Sequence, residues 1–396
     1  MSLFGRQRRT FQGLTAEDHI RRIGAGTGGG RAAVTNDTAM RHSAVWACLR
    51  LRANLISTMP VDVYRKVLGA RVEVPPPPVL VKPGGDRVKI KEWLYSSQVD
   101  LDRAGNTIGL ITEEHPSGLP ARIDLQPIGE CAVVPAVEAE RKRAPDGWVY
   151  RISGKRYFPD EVWHEKQYTI AGLPVGLSPI AYAAWTIGEY LSIQDFALDW
   201  FGNGGVPAMH LKNTAKTLES KKAQEVKDRF SASVQQGGLF VSGNDWELNL
   251  LASEQAGMSW LEAKQYGIGD VARFLDCPGD LIDAVVSGGH ITYATVTERN
   301  LQFLIMHLGP AVVRREDALS DLTSKPRYVK LNSDALLRMD PKTRAETFKL
   351  RVDARTLAPS EVRELEEQRP FTPEQLAEFD HFWPPKAAPA GSTVPQ

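Results

Sequence analysis

The chain has 396 residues, 42% of them apolar, and its 48 basic and 48 acidic side chains balance to no net charge. That length implies two or three structural regions, and that apolar share is enough to build a core. Charge balance argues against a tight nucleic-acid reader, which carries a strong basic bias, but leaves room for a protein that handles DNA loosely. Cys48, Cys131 and Cys277 stand far apart with no CxxC pair, so reduced thiols in a cytosolic compartment are expected, not a disulfide framework. No secretory signal pattern opens the chain and no apolar run reaches about 18 residues, so neither export nor a membrane partner is expected.

Residues 1–38 are rich in Arg, Gly and Thr around the glycine run 24–30. Such a segment buries too little apolar surface to offset its ordering entropy, and a flexible N-terminal arm is expected. Gly24, Gly26 and Gly29 do match G-x-G-x-x-G, but no strand precedes them, no helix follows, and Arg31-Ala32 stand where a phosphate-binding lysine would be. Nucleotide binding is rejected. From Ser43 to Thr58 the spacing of Val45, Cys48, Leu49, Arg52, Leu55 and Ile56 predicts a helix with Ser43 as its cap. Val61–Tyr64 alternates as a strand, the Pro75–Pro78 run reads as loop, and Lys91–Leu101 reads as a second helix. Short strands are then expected at 106–112, 122–127, 131–134, 148–152 and 162–163. In this stretch Glu113-Glu114-His115 precedes a Pro-Ser-Gly turn and reads as solvated loop. His164-Glu165 lacks the second histidine of a zinc-protease motif, so no metal or cofactor is expected.

Residues 178–204 predict a helix about 40 Å long. Ser178 is its cap and Pro179 sits at its first turn, where proline is tolerated. It is apolar almost all round, with Trp185, Tyr190, Phe196 and Trp200 among its large side chains, so it must be covered on most sides. In a monomer it would be a core helix; copies of the chain in a closed ring are the more economical cover. A small αβ segment follows, with a strand at 208–211, a charged helix at 218–234 and a hairpin through 239–241 and 246–248. Ser259 with Glu262 predicts a capping box for a helix ending near Asp276. Beyond the Cys277-Pro278-Gly279 exit comes a loop tipped by Ser287-Gly288-Gly289, then a long apolar helix from about Thr292 with Pro310 in its interior, where proline would kink it. Tyr328–Leu331 is a strand, and 341–354, 359–368 and 373–382 are amphipathic helices.

The ordered set Ser43-Ala44-Val45-Trp46-Ala47-Cys48, Gly176-Leu177-Ser178-Pro179, Phe201-Gly202-Asn203-Gly204-Gly205-Val206-Pro207, Cys277-Pro278-Gly279-Asp280-Leu281 and Phe303-Leu304-Ile305-Met306-His307-Leu308-Gly309-Pro310 resembles the portal proteins of long-tailed double-stranded-DNA phages. The resemblance covers roughly residues 40–370 and implies an α+β portal fold. Its regions would be an arm (1–38), a wing platform (39–177), a first stem helix (178–204), a clip (205–257), a second stem helix (258–276) and a tunnel loop (277–291). A long kinked helix with a strand returning to the wing (292–340), a helical crown (341–383) and a tail (384–396) would complete it.

The resemblance further implies a ring, dodecameric in the virion, at one capsid vertex, built in the host cytoplasm and contacting capsid protein or scaffold. Double-stranded DNA would thread its channel past Asp280, Asp283, Ser287, Gly288, Gly289 and His290, a loop whose carboxylates suit brief contact with a moving polyanion. The terminase large subunit and the head–tail connector would dock on the clip at Lys221, Lys222, Lys227, Arg229 and Trp246. Trp185, Tyr190, Phe196 and Trp200 would line the ring interface. Such a chain positions and gates and is not an enzyme. A motor ATPase or nuclease would need a Walker lysine or an acidic metal cluster, and neither is visible. The remaining alternatives are a monomeric nucleic-acid binder, which would need a basic face, and another phage head-assembly protein.

Overall fold

The computed structural model describes residues 34–202, 209–213, 219–235, 246–250, 256–282, 293–333, 341–366 and 368–382. Residues 1–33, the tail and residues 283–292 lie outside the described residues; the end of the expected arm is instead ordered, with Val34 buried in the core and a short helix at Asn36–Ala39, capped by Thr35, where none was expected. The chain divides into two compact units, 1–332 and 333–396.

The first unit opens with helices α1 (Asn36–Ala39) and α2 (Ser43–Thr58), followed by strands β1 (Val61–Val67) and β2 (Ala70–Val74). The cap of α2 is not Ser43 but His42, whose Nδ1 accepts from the Ala44 amide at 3.2 Å. Val45, Cys48, Leu49, Arg52 and Ile56 are buried along one face of α2, as their spacing predicts. The proline run is loop only to Pro77, because Pro78 occupies the first turn of α3 (Pro78–Val81), where its missing N–H costs nothing. Helix α4 (Ile90–Ala104) ends on Gly105 at φ 72° and packs beside α2.

Strands β3 (Asn106–Glu114), β4 (Pro120–Leu125), β5 (Cys131–Pro135), β6 (Trp148–Ile152), β7 (Lys155–Tyr157) and β8 (Val162–Lys166) form two small antiparallel sheets, ordered β4-β3-β8 and β5-β6-β7. Trp93 from α4 ties helix to sheet, donating to the Ile123 carbonyl at 3.2 Å and packing at a 49° tilt against Trp163, with ring centres 4.7 Å apart.

The expected helix 178–204 is two pieces, α5 (Pro179–Tyr182) and α6 (Ala184–Gly202), with a turn at Ala183. Ser178 caps the first through the Ala181 amide. Next come β9 (Met209–Asn213), the charged helix α7 (Ser220–Gln235) and β10 (Trp246–Leu250), the two strands pairing antiparallel. The 239–241 half of the expected hairpin lies outside the described residues. Helix α8 (Ala256–Phe274) already runs at Ala256, so Ser259 sits inside it and is not its cap.

The long helix behind the loop is described as α9 (Tyr293–Gln302), a π-helical segment Phe303–Leu308, and α10 (Gly309–Ser320). Pro310 lies in the first turn of α10 and has no N–H to give the preceding turn, and the helix widens to π geometry just there. Strand β11 (Arg327–Leu331) then returns to pair with β1, completing the sheet β11-β1-β2.

One apolar core joins these pieces. Val45, Cys48 and Leu49 of α2, Ile180 of α5, Ile187 and Leu191 of α6, and Val271 and Leu275 with Cys277 at the end of α8 are all buried together. The second unit holds α11 (Pro341–Asp353), α12 (Pro359–Leu365) and α13 (Pro373–Phe382). Its α11 and α12 are tied by Arg344, which donates to the Leu365 carbonyl and pairs with Glu366 at 2.7 Å.

Candidate functional site at the root of the loop

Helix α8 ends in a complete Schellman turn. The Cys277 amide donates to the Ala272 carbonyl at 2.9 Å and the Asp276 amide to the Arg273 carbonyl at 3.2 Å, with Asp276 left-handed at φ 52°. Glycine is the usual residue at that position, because a Cβ is disfavoured there. The aspartate is explained by its carboxylate: Oδ1 lies 2.6 Å from His307 Nδ1 in the π segment, and Oδ2 lies 3.9 Å from Arg52. The turn is thus braced against both the long helix and the platform.

Arg52 is the centre of that brace. It is 1% exposed, and its Nε donates to Asp102 Oδ2 at 3.2 Å while Nη1 donates to the Asp276 carbonyl at 3.0 Å. Burial alone would lower its pKa, but Asp102 more than offsets this and holds it above the ordinary arginine value, so the guanidinium stays charged. Asp102 also accepts from Gln167 Nε2 at 3.3 Å. A second buried brace stands behind the first. Arg315 of α10 donates to Glu165 at 2.6 Å and to Gln98 at 3.0 Å, fixing the long helix to α4 and β8.

Between α8, the exit turn and the long helix lies a cleft of about 880 Å³. Tyr266, Gly269 and Ala272 form one wall, Phe303 and His307 the other. Asp280 lies at its edge with its carboxylate 3.0 Å from Arg299, so it links the exit turn to α9 and its charge is met within the chain. Cys48 and Cys277 meet in the core beneath as free thiols; their shared hydrogen bond, then burial, pushes Cys48 up and keeps it protonated.

The other expected site residues fall as follows. Asp283, Ser287, Gly288, Gly289 and His290 lie outside the described residues, so the structure shows only the root of the loop. Lys221, Lys222, Lys227 and Arg229 are exposed along α7, and Trp246 is half-buried at the start of β10. Of the four residues expected at a ring interface, Trp185 is 71% exposed, whereas Tyr190 is 6% exposed and stacks on His42 at 3.7 Å. Tyr190 therefore serves its own chain's core: it follows Ile187 and precedes Leu191 on the inward face of α6. The side chains of Phe196 and Trp200 are outside the description. Arg52, Asp276, His307 and Arg315, the residues that hold the loop root, escape sequence reasoning because their partners lie between 31 and 224 residues away.

Comparison with known proteins places this geometry. The profile of the phage portal protein family matches residues 43–367. The chain is 26% identical over 379 residues to the probable portal protein of Streptomyces phage phiC31, covering 91% of this chain and 81% of that one. Its fold is similar to the crystal structure of an HK97-family phage portal protein from Corynebacterium diphtheriae, with a TM-score of 0.58 at 18% identity, covering 78% of this chain and 100% of that chain. It is also similar to a chain in the neck of a native gene transfer agent particle computed with C12 symmetry, with a TM-score of 0.54 at 18% identity over 88% of this chain and 97% of that one. With a family match running from the first residue of α2 to the end of the described α12 region, the chain belongs to the phage portal protein family.

Proposed function

We propose that this chain assembles into a closed ring at one capsid vertex and forms the channel through which double-stranded DNA is packaged and ejected. The observation that carries the proposal is the family match over residues 43–367, joined to a fold shared with a chain from a C12-symmetric neck. In this assembly residues 39–177 form the wing, and 178–204 with 258–276 form the stem. Residues 205–257 form the clip, on which the terminase large subunit and then the head–tail connector dock through the exposed basic residues of α7. ATP hydrolysis belongs to the motor and not to this chain.

The loop 277–291 faces the channel, and its support favours that role. A loop pushed by passing DNA needs a root that does not yield, and here the root is tied to α2 by Arg52, to the π segment by His307 and to α9 by Arg299. Electron microscopy of the purified full chain, paired with native mass spectrometry, tests the proposal. Rings with a pore wide enough for a duplex are expected, and a chain that stays monomeric under capsid-assembly conditions overturns it. Deleting 287–290 should leave rings intact but impair packaging or retention of DNA.

A further inference from the structure

The long helix has two unlike sides. Phe303, Leu308, Ala311, Arg315 and Leu319 turn inward and are buried. On the outer side Leu301, Ile305, Met306 and Val313 expose 45%, 61%, 66% and 53% of their surface, with exposed Pro310 between them. Scattered exposed apolar residues need no explanation, but a continuous apolar ridge along one helix marks a contact surface. No formally charged residue occurs from Leu301 to Pro310, so the ridge has nothing to offer a phosphate backbone and suits a protein surface.

We propose that this ridge is one half of the contact between neighbouring copies of the chain, and that it seats in the neighbour's cleft between α8 and the long helix. The inference rests on the ring proposed above and names the surfaces that close it. Ile305 is two residues from both Phe303 and His307, which line the cleft, and therefore points roughly half a turn away from them. Ridge and cleft thus lie on opposite sides of one helix. A two-fold dimer uses one patch twice, whereas two different patches on opposite sides give a head-to-tail contact, the kind that closes into a ring.

The cleft has the chemistry to receive an apolar ridge. Tyr266 stands 80% exposed at its rim, and Ala272 and Phe303 form apolar parts of its wall. Gly269 lies in the interior of α8, where glycine weakens a helix, and a Cβ built on it meets no atom of the described residues within 4 Å. Its smoothness serves no packing among the described residues, but it lets a second backbone or side chain approach closely.

Two sets of variants of the full chain test this. Ile305→Asp with Met306→Asp should raise the concentration needed for assembly at least roughly tenfold. The folded chain's circular dichroism should stay unchanged, because both side chains are exposed. Met306→Cys combined with Tyr266→Cys should give, on mild oxidation, a ladder of covalent multimers beyond the dimer that neither single variant gives; the native cysteines are buried and contribute no background. Normal assembly of the aspartate variant overturns the inference, as does dimer formation by Met306→Cys alone, which would mean a two-fold contact. A wild-type chain that never assembles would instead bring down the ring itself, so the two failures are distinguishable.

Discussion

Replacing Arg52 by alanine should be among the most damaging single changes in the molecule. The guanidinium is 1% exposed and Asp102 is 2% exposed, so removing Arg52 leaves the carboxylate buried with, among the described residues, the Gln167 amide 3.3 Å away as its remaining hydrogen-bond donor. Breaking a buried ion pair in this way costs about 3–5 kcal/mol, a hundredfold to several thousandfold in the unfolding equilibrium. The Asp276 carbonyl also loses its donor, which loosens the loop root. Removing both charges with Arg52→Met and Asp102→Leu should recover most of the loss, because the desolvation of each ion is then no longer incurred. Urea denaturation followed by tryptophan fluorescence reads this directly, since Trp93 and Trp163 pack together in the adjoining platform. A double-mutant cycle with a coupling below about 0.5 kcal/mol would refute the brace, because the two residues would then act independently.

Two further outcomes are expected. His164, hydrogen-bonded to Tyr150 and Asn106, has its pKa lowered to about 3 by burial, with Lys166 adding to the effect. The unfolded chain therefore binds the proton more readily, and stability present above about pH 6.5 is lost as pH falls towards 3, about 2 kcal/mol of it by pH 5, which lies about 1.5 units below the ordinary histidine value. A stability slope between pH 5 and 6.5 that is unchanged in His164→Gln would contradict this. Gly105→Ala should abolish folding of the first unit at 37 °C, for at φ 72° its Cβ would lie 2.0 Å from the Leu177 carbonyl oxygen, which is backbone and cannot swing aside. A soluble variant with wild-type thermal unfolding would show that this turn can relax.

Elements with a strong pattern are legible in the amino-acid sequence. The inward face of α2, the proline-led start of α5 and the strand β1 all lie where their residues predict. What escapes is of two kinds. Strand β2, Ala-Arg-Val-Glu-Val, has four of its five residues exposed and no buried face to reveal it, and β7 has only three residues. The second kind is distant pairing. The inward spacing of Arg52 is visible along α2, but Asp102 and Asp276 are 50 and 224 residues away, and nothing local announces them. Pro310 marks where the long helix must change, yet it does not say that the change is a π segment. His42 as a cap is missed because an imidazole nitrogen does what serine or aspartate usually does. The loop is recognisable by its glycines and its neighbours; the means by which its root is held emerges only in three dimensions.

The sheet β11-β1-β2 has a consequence for synthesis. Val61 pairs with Leu331, so once β2, which ends at Val74, has folded back onto β1 the other edge of β1 stays open while 257 more residues are made (331 − 74). At about 5–20 residues per second that is roughly 13 to 51 s on the ribosome with an unpaired strand exposed. The edge is a template for pairing with other nascent chains, and it carries Arg65 and Lys66, the kind of charges that discourage such pairing. Arg65 finally lies opposite Arg327, a like-charge placement that does nothing for the finished sheet and is intelligible as protection during the wait. Chains that terminate before Arg327 would keep that edge open permanently, and a cell making many copies for one assembly would meet them first as aggregates.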